Sequence, residues 1–358
     1  MNANDVTLPF VALAQITTGG DAPLRGLSLS VQRGEIVSLL GDEAASVVAV
    51  VAGFQRPQSG ELILNGRFGM DIKPSQRRIG MVSRRLDLFA HLSVRGHARF
   101  APGVTRDMAD TILARLDLLA VADRAPLSLS GEQQLRVALA RALARKPDLL
   151  LLDDPFAGAA PSAIDAIKTW LRREAAQSGL SVLHSAGDAS DAFGLADRIG
   201  VIENGQLRQY GTAQELYERP ESLFVARQTG PLNQLHGTIV SQEDDIAAVR
   251  LAGGAIVEGR VIGSLRNGEA CTLAIRPERI AIAAMKPVDL GEGALAAQLC
   301  EAVFVGDHMR LALTADLRGG ETAELVVIRP SGATLPRNGG ISLAWQAHHA
   351  HVFARKAP

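Results

Sequence analysis

Two stretches of the chain bring together residue types, at a spacing, suited to site chemistry. Residues 127–155, LSLSGEQQLRVALARALARKPDLLLLDDP, place Ser130 and Gly131 as a turn at a helix start. They continue through an amphipathic helix and end on an apolar strand carrying Asp153 and Asp154. Free N–H groups at a helix start attract anions, and a serine there caps them. The second stretch is the run EIVSLL followed by Gly41-Asp42-Glu43-Ala44-Ala45-Ser46 and the apolar helix VVAVVAG. A phosphate-binding loop in that place needs glycines to aim successive N–H groups, a lysine for the β and γ phosphates, and a hydroxyl for magnesium. Taken alone, the first stretch also fits a capped helix that merely leads into a core strand.

The elements that must position these residues follow from the pattern. Between residues 9 and 230, short β-rich runs (VALAQI, LSLSV, EIVSLL, LLLLD, SVLHS, RIGVI) alternate with helical stretches such as MADTILARLDLLAVA, the pattern of an α/β domain. Leu149 to Leu152 is apolar without alternation, as a central strand buried on both faces should be. Beyond Gly230 the texture becomes short alternating segments broken by Gly and Pro, which predicts small β-barrel units. The triplet Ile-Arg-Pro occurs at Ile275 to Pro277 and again at Ile328 to Pro330, suggesting two similar β modules. The boundary is expected near 228–235, dividing the chain into domains 1–230 and 235–358.

The 127–155 block resembles the signature motif and Walker B strand of the ABC ATPases. Further segments follow in that family's order: GFQRPQSGELILNG (53–66), RRIGMV (77–82), LFAHLSV (88–94) and ADRIGVIENGQLRQYGTAQELYERP (196–220). The segments LAIRPERI and VFVGDH look like a TOBE domain of the importer branch, with the polyamine group nearest. The resemblance implies a P-loop NTPase-like α/β domain followed by an all-β, OB-like domain, with ATP and Mg2+ as cofactors. It implies that Ser130, Gly131 and Gln133 meet the γ-phosphate of ATP held by the opposite subunit. It also gives Asp153 the magnesium and Asp154 the attacking water, where the family usually has a glutamate. Gly41 and Ser46 are the candidate nucleotide contacts of the chain's own loop.

Several family positions depart from the pattern. The loop is three residues short; counting back from Gly53, Ala44 falls at the lysine, Ala45 at the magnesium hydroxyl and Ser46 at the next hydroxyl, and Asp42 and Glu43 replace glycines. Glu132 replaces a signature glycine, Thr18 the adenine-stacking aromatic, Arg84 the glutamine that links the γ-phosphate to the transporter contact, Ala160 an acid, and Gly187 the switch histidine. His184 lies three residues too early to substitute and reads as a strand-end side chain. The expectation is an import subunit impaired in its own ATP site that lends its signature in trans. A homodimeric ATPase with unusual loop geometry and a non-catalytic regulatory or scaffold protein are the alternatives.

Bulk properties bound the rest. With 47% apolar and 21% charged residues, the 358-residue chain has ample material for packed cores. A net charge of −1 gives no basic excess for nucleic acid. Cys271 and Cys300 are expected as reduced packing residues, and His348, His349 and His351, with no acid or cysteine beside them, as a solvated loop. No apolar run reaches the roughly 18 residues of a membrane span, and MNANDVTLPF lacks the pattern of a leader. By resemblance, the partners are membrane permease subunits, a second ABC subunit and, indirectly, a periplasmic solute-binding protein, at the cytoplasmic face of the inner membrane. Permease docking is expected after Arg84, on Leu86, Leu88, Phe89 and Leu92.

Overall fold

The computed structural model describes residues 9–284, 293–333 and 340–355. Residues 1–8, where most of the leader reading fell, lie outside the described residues. Contacts divide the chain into two compact units, Met1–Leu216 and Tyr217–Pro358.

The first unit begins with β1 (Val11–Thr17), β2 (Leu27–Val31), β3 (Ile36–Leu40), α1 (Ala44–Ala52), β4 (Ser59–Leu64), β5 (Arg67–Phe68) and β6 (Ile79–Ser83). It continues through α2 (Val94–Ala98), α3 (Arg106–Arg115), α4 (Gly131–Leu143), β7 (Leu149–Asp153), α5 (Pro161–Ser178) and β8 (Ser181–Ser185). Helix α6 (Ala189–Ala192), β9 (Arg198–Glu203), β10 (Gln206–Gly211) and α7 (Ala213–Glu218) follow. A six-stranded sheet has the order β10-β9-β3-β8-β7-β6, parallel except for the β10 edge. A smaller antiparallel sheet has the order β2-β1-β4-β5.

Strand β7 shows why this sequence makes a central strand. Successive side chains of a strand point to opposite faces, so a strand covered on both sides must be apolar throughout. Leu149 and Leu151 join the core under α1, with Val47, Val51, Leu62 and Leu183. Leu150 and Leu152 join the opposite core, with Leu135, Leu139, Ile167 and Leu171 from α4 and α5. Helix α1 is apolar for the same reason, and its C-terminus is closed twice. Gly53 adopts φ 88° there, and the Arg77 guanidinium donates to the carbonyls of Val50 (3.2 Å) and Val51 (2.7 Å).

The second unit carries α8 (Leu223–Gln228), β11 (Asn233–Glu243), β12 (Ile246–Leu251), β13 (Ile256–Val261) and β14 (Ala270–Ile275). After these come β15 (Ala281–Ala284), β16 (Leu295–Phe304), β17 (His308–Asp316), β18 (Thr322–Pro330), β19 (Ile341–Ala344) and β20 (Ala350–Ala354). The expected pair of β modules takes the form of a closed barrel, β11-β12-β13-β20-β14, and a five-stranded sheet, β15-β19-β16-β17-β18. They are not copies of one topology, since the C-terminal strand β20 returns to close the barrel between β13 and β14. The division at Leu216 and Tyr217 precedes the expected 228–235 linker because α8 packs on the β unit. Leu223 and Ala226 meet Leu232, Ile262, Ala274 and Phe353. Both cysteines are free; Cys271 is buried, with its thiol pushed up to about 11 by burial, whereas Cys300 is exposed on β16 and is not a core residue.

Because Leu152 is fully buried, Leu152→Ala should cost about 2–5 kcal/mol by urea unfolding, and Leu127→Ala, at an exposed position, less than about 0.5 kcal/mol.

Candidate nucleotide and signature sites

The β3–α1 connection is the shortest part of the site and the most constrained. Gly41 has φ 114°, and a Cβ there would lie 2.1 Å from the Ile202 carbonyl oxygen on β9, so only glycine fits. The helix starts at once, with Ser46 already inside its first turn. Two of the first N–H groups are spent on local carbonyls: Ala44 donates to Gly41 (3.1 Å) and Ser46 to Glu43 (3.0 Å). Glu43 turns its carboxylate to accept from the Gly205 N–H at 2.9 Å, and the Ser46 hydroxyl donates to the Ala22 carbonyl at 2.7 Å. The Ser46 hydroxyl is thus already engaged, the connection carries no lysine, and Asp42 stands exposed beside it. Thr18 is no stacking platform either. It is buried and closes its own loop, its Oγ1 accepting from Leu24 N–H at 2.9 Å.

The two acids lie where β7 ends. Asp153 accepts from the Ser185 hydroxyl at 2.7 Å. Asp154, with φ 44°, donates its N–H to the Ser185 carbonyl at 2.9 Å and pairs its carboxylate with the Arg84 guanidinium at 3.4 Å. Burial pushes the Asp154 carboxyl above the usual carboxylate range, opposed by Arg84 and reinforced by Asp153 and Asp188. A Cβ on Gly187 would lie 2.8 Å from Asp154 Oδ1, so Asp154 occupies the space that a larger residue at Gly187 would need. The losses at Arg84 and Gly187 are thus coupled through one carboxylate, which the sequence pattern left separate. His184 lies within β8, wholly buried, its Nδ1 at 3.0 Å from Ser38 Oγ and its ring edge-on to Phe156. Burial lowers it to about 3, so it is a neutral core histidine. Sequence reasoning missed Lys168 of α5, which is buried, donates to the Ser190 carbonyl at 2.6 Å and pairs with Asp191 at 3.6 Å, holding the 187–191 segment. Its only signal was a charged residue on a helix face that is mostly apolar.

The signature turn is built differently. Ser130 caps α4: its Oγ accepts from the Gln133 N–H and the Gln133 side chain accepts from the Ser130 N–H, each at 3.3 Å. Glu132 pairs with Arg136 at 2.8 Å along the helix, and Ser130 and Gly131 remain exposed, with open space around Gly131. Of the apolar residues expected after Arg84, Leu86 and Leu88 pack against the core, so internal packing uses part of that surface. The Phe89 ring stacks on His97 and lies under Arg141, whose guanidinium also holds the Leu86 carbonyl at 2.9 Å. Phe100 remains 56% exposed beside it.

A raised carboxyl pKa favours the protonated form in the fold, so the Asp154 contribution is most favourable at low pH and is lost as pH rises through its elevated value. Asp154→Asn should therefore gain stability relative to the parent as pH rises above about 4, read by chemical unfolding at each pH. A difference independent of pH would contradict the assignment.

The ABC transporter profile matches residues 24–157 and the TOBE domain profile residues 273–353. The spermidine/putrescine import ATP-binding protein PotA of Rubrobacter xylanophilus is 31% identical over 350 residues, covering 94% of this chain and 91% of that protein. The Fe(3+) ions import ATP-binding protein FbpC of Rhizobium etli is 30% identical over 309 residues, 84% of this chain and 85% of that one. Among solved structures, cbiO1 from Clostridium perfringens, part of the ABC transporter complex cbiONQ, superposes with a TM-score of 0.53 at 22% identity over 59% of this chain and 91% of that chain. A dimeric bacterial ABC transporter cassette gives 0.51 at 24% identity, over 56% and 98%. These two show the fold. With sequence likeness running along nearly its whole length, the chain belongs to the ABC transporter family, among the import ATP-binding proteins that carry a TOBE domain.

Proposed function

We propose that this chain is the nucleotide-domain subunit of an ABC import complex that does not hold ATP in its own loop and acts by completing the site of a partner subunit. The observation that carries this reading is the contrast within one domain: the β3–α1 connection is closed on itself, while the Ser130 turn is intact, capped and exposed. A carboxylate near a triphosphate costs about 1–4 kcal/mol at about 4 Å, depending on the local dielectric. Asp42 and Glu43 impose such a cost, and no lysine offsets it. Asp153 keeps the place of the magnesium acid and Asp154 that of the water-aligning acid, but Ser185 and Arg84 already engage them.

In the partner's site, the α4 N-terminus supplies what a γ-phosphate needs. Ser130 offers its hydroxyl, Gly131 permits close backbone approach, and Gln133 locks the turn. The permease is proposed to seat against the segment after Arg84. A groove of about 870 Å³ opens there beside Met81, Phe89, Phe100 and Arg141. The polyamine class is proposed for the transported solute because PotA proteins recur among the relatives. A periplasmic binding protein would deliver it, and the chain would work at the cytoplasmic face of the membrane. Among the described residues, no helix is long and apolar enough to cross a membrane.

Steady-state ATPase assays of this chain, an intact cassette of the same complex, and their mixture test the reading. The chain alone should show negligible turnover, and Ser130→Arg in this chain should abolish the turnover gained on mixing. Robust turnover by the isolated chain, lost on Asp154→Asn, would overturn it.

A further inference from the structure

The β unit concentrates cationic side chains around one pocket of about 330 Å³. Arg276 stands in the Ile275–Pro277 triplet at the end of β14, and the 3-10 turn Pro277–Arg279 brings Arg279 to the same side. Strand β13 adds Arg260, and the turn Ala347–His349 with β20 adds His348, His349 and His351. Arg219 completes the cationic lining, against the single carboxylate of Glu218.

Arg276 is only 4% exposed, and the acceptors its side chain reaches are neutral. It donates to the Ala226 carbonyl at 2.9 Å and to Thr229 Oγ1 at 2.8 Å, and lies 4.0 Å over the Tyr217 ring. Hydrogen bonds to neutral groups hold this buried guanidinium in place, and the one carboxylate whose field reaches it, Glu278, is turned to the Tyr217 hydroxyl rather than bonded to the guanidinium. Arg279 meets Glu218 only at 3.7 Å and His349 Nε2 at 3.4 Å, so its fork faces the pocket with a loose carboxylate contact. Arg260 keeps Asp245 at 2.8 Å through Nε. The three histidines do not make a metal centre: no metal-holding cluster occurs among the described residues, and the surrounding guanidiniums would repel a cation. Their field and burial instead keep His351 neutral, at about 4, as a hydrogen-bonding wall.

We propose that this pocket binds a small multivalent anion of the phosphate class, with Arg279 and Arg260 as the contacting forks and Arg276 as the fixed charge behind them. Planar guanidinium forks match phosphate oxygens two at a time, and the volume admits inorganic phosphate or a small phosphomonoester. This site is independent of the nucleotide reading above.

Calorimetric titration of the full chain, free of nucleotide and at constant ionic strength, with inorganic phosphate and separately with glycerol 3-phosphate, tests the proposal. At least one should saturate, which also tells the free ion from the ester. Its affinity should fall about tenfold or more in Arg279→Gln and in Arg260→Gln, each verified as folded by circular dichroism. The histidine ring NMR signals of His348 and His349 should shift with the same saturation curve. Failure of both anions to saturate by about 10 mM, or unchanged affinity in both folded variants, would overturn it.

Discussion

The structure of the first unit turns on the packing of one glycine beneath one carbonyl. Gly41 lies so close to Ile202 that no side chain is tolerated, and α1 must begin three residues later. The strand passes to the helix through a connection of Gly41, Asp42 and Glu43 alone. Its N–H groups fold back on the local backbone, and its one carboxylate with a partner, Glu43, ties the turn to the β9–β10 hairpin at Gly205. The arrangement is satisfied internally and costs the fold nothing evident. The apolar face of α1 still fills the core under β7, and Arg77 still caps its far end.

The second acidic end of the site is also internally paired. Asp154, Arg84 and Gly187 form one packing solution: the carboxylate takes the space beside Gly187, and the guanidinium approaches it from β6. A side chain at 187 would require that carboxylate to shift, and a glutamine at 84 could not pair with it as an ion. These positions share a physical form, a set of side chains paired with one another. The signature turn shows no such closure. Its capping box is local to α4, so it survives whatever happens at the other end of the domain.

Much of this was legible in the chain. Ser130 three residues before Gln133 is a capping signal, and Leu149–Leu152 has the unbroken apolar run of a doubly covered strand. The absent lysine and the carboxylates at 42 and 43 are plain in the sequence. Other features depend on contacts between distant segments. The Arg84–Asp154 pair joins two motifs that read as separate losses. The use of Leu86 and Leu88 in packing could not be told from a docking surface by hydrophobicity alone. The place where the units divide was shifted by α8, whose few apolar residues pack on the β unit and look like linker when read locally. The burial of Arg276 was hidden for the opposite reason: the Ile-Arg-Pro triplet showed only as a repeat, and the neutral acceptors come from a distant segment, Ala226 on α8 and Thr229 just after it.

On the reading proposed above, an import cassette with a closed loop and an open signature contributes one half of a site, completed by a partner that holds ATP. Equilibrium titration of the isolated chain with ATP and magnesium measures this most directly. The account predicts no saturable binding up to about 1 mM, a level at which an intact loop would be filled. Saturable binding in the micromolar range, abolished by altering Gly41 or Ser46, would contradict it.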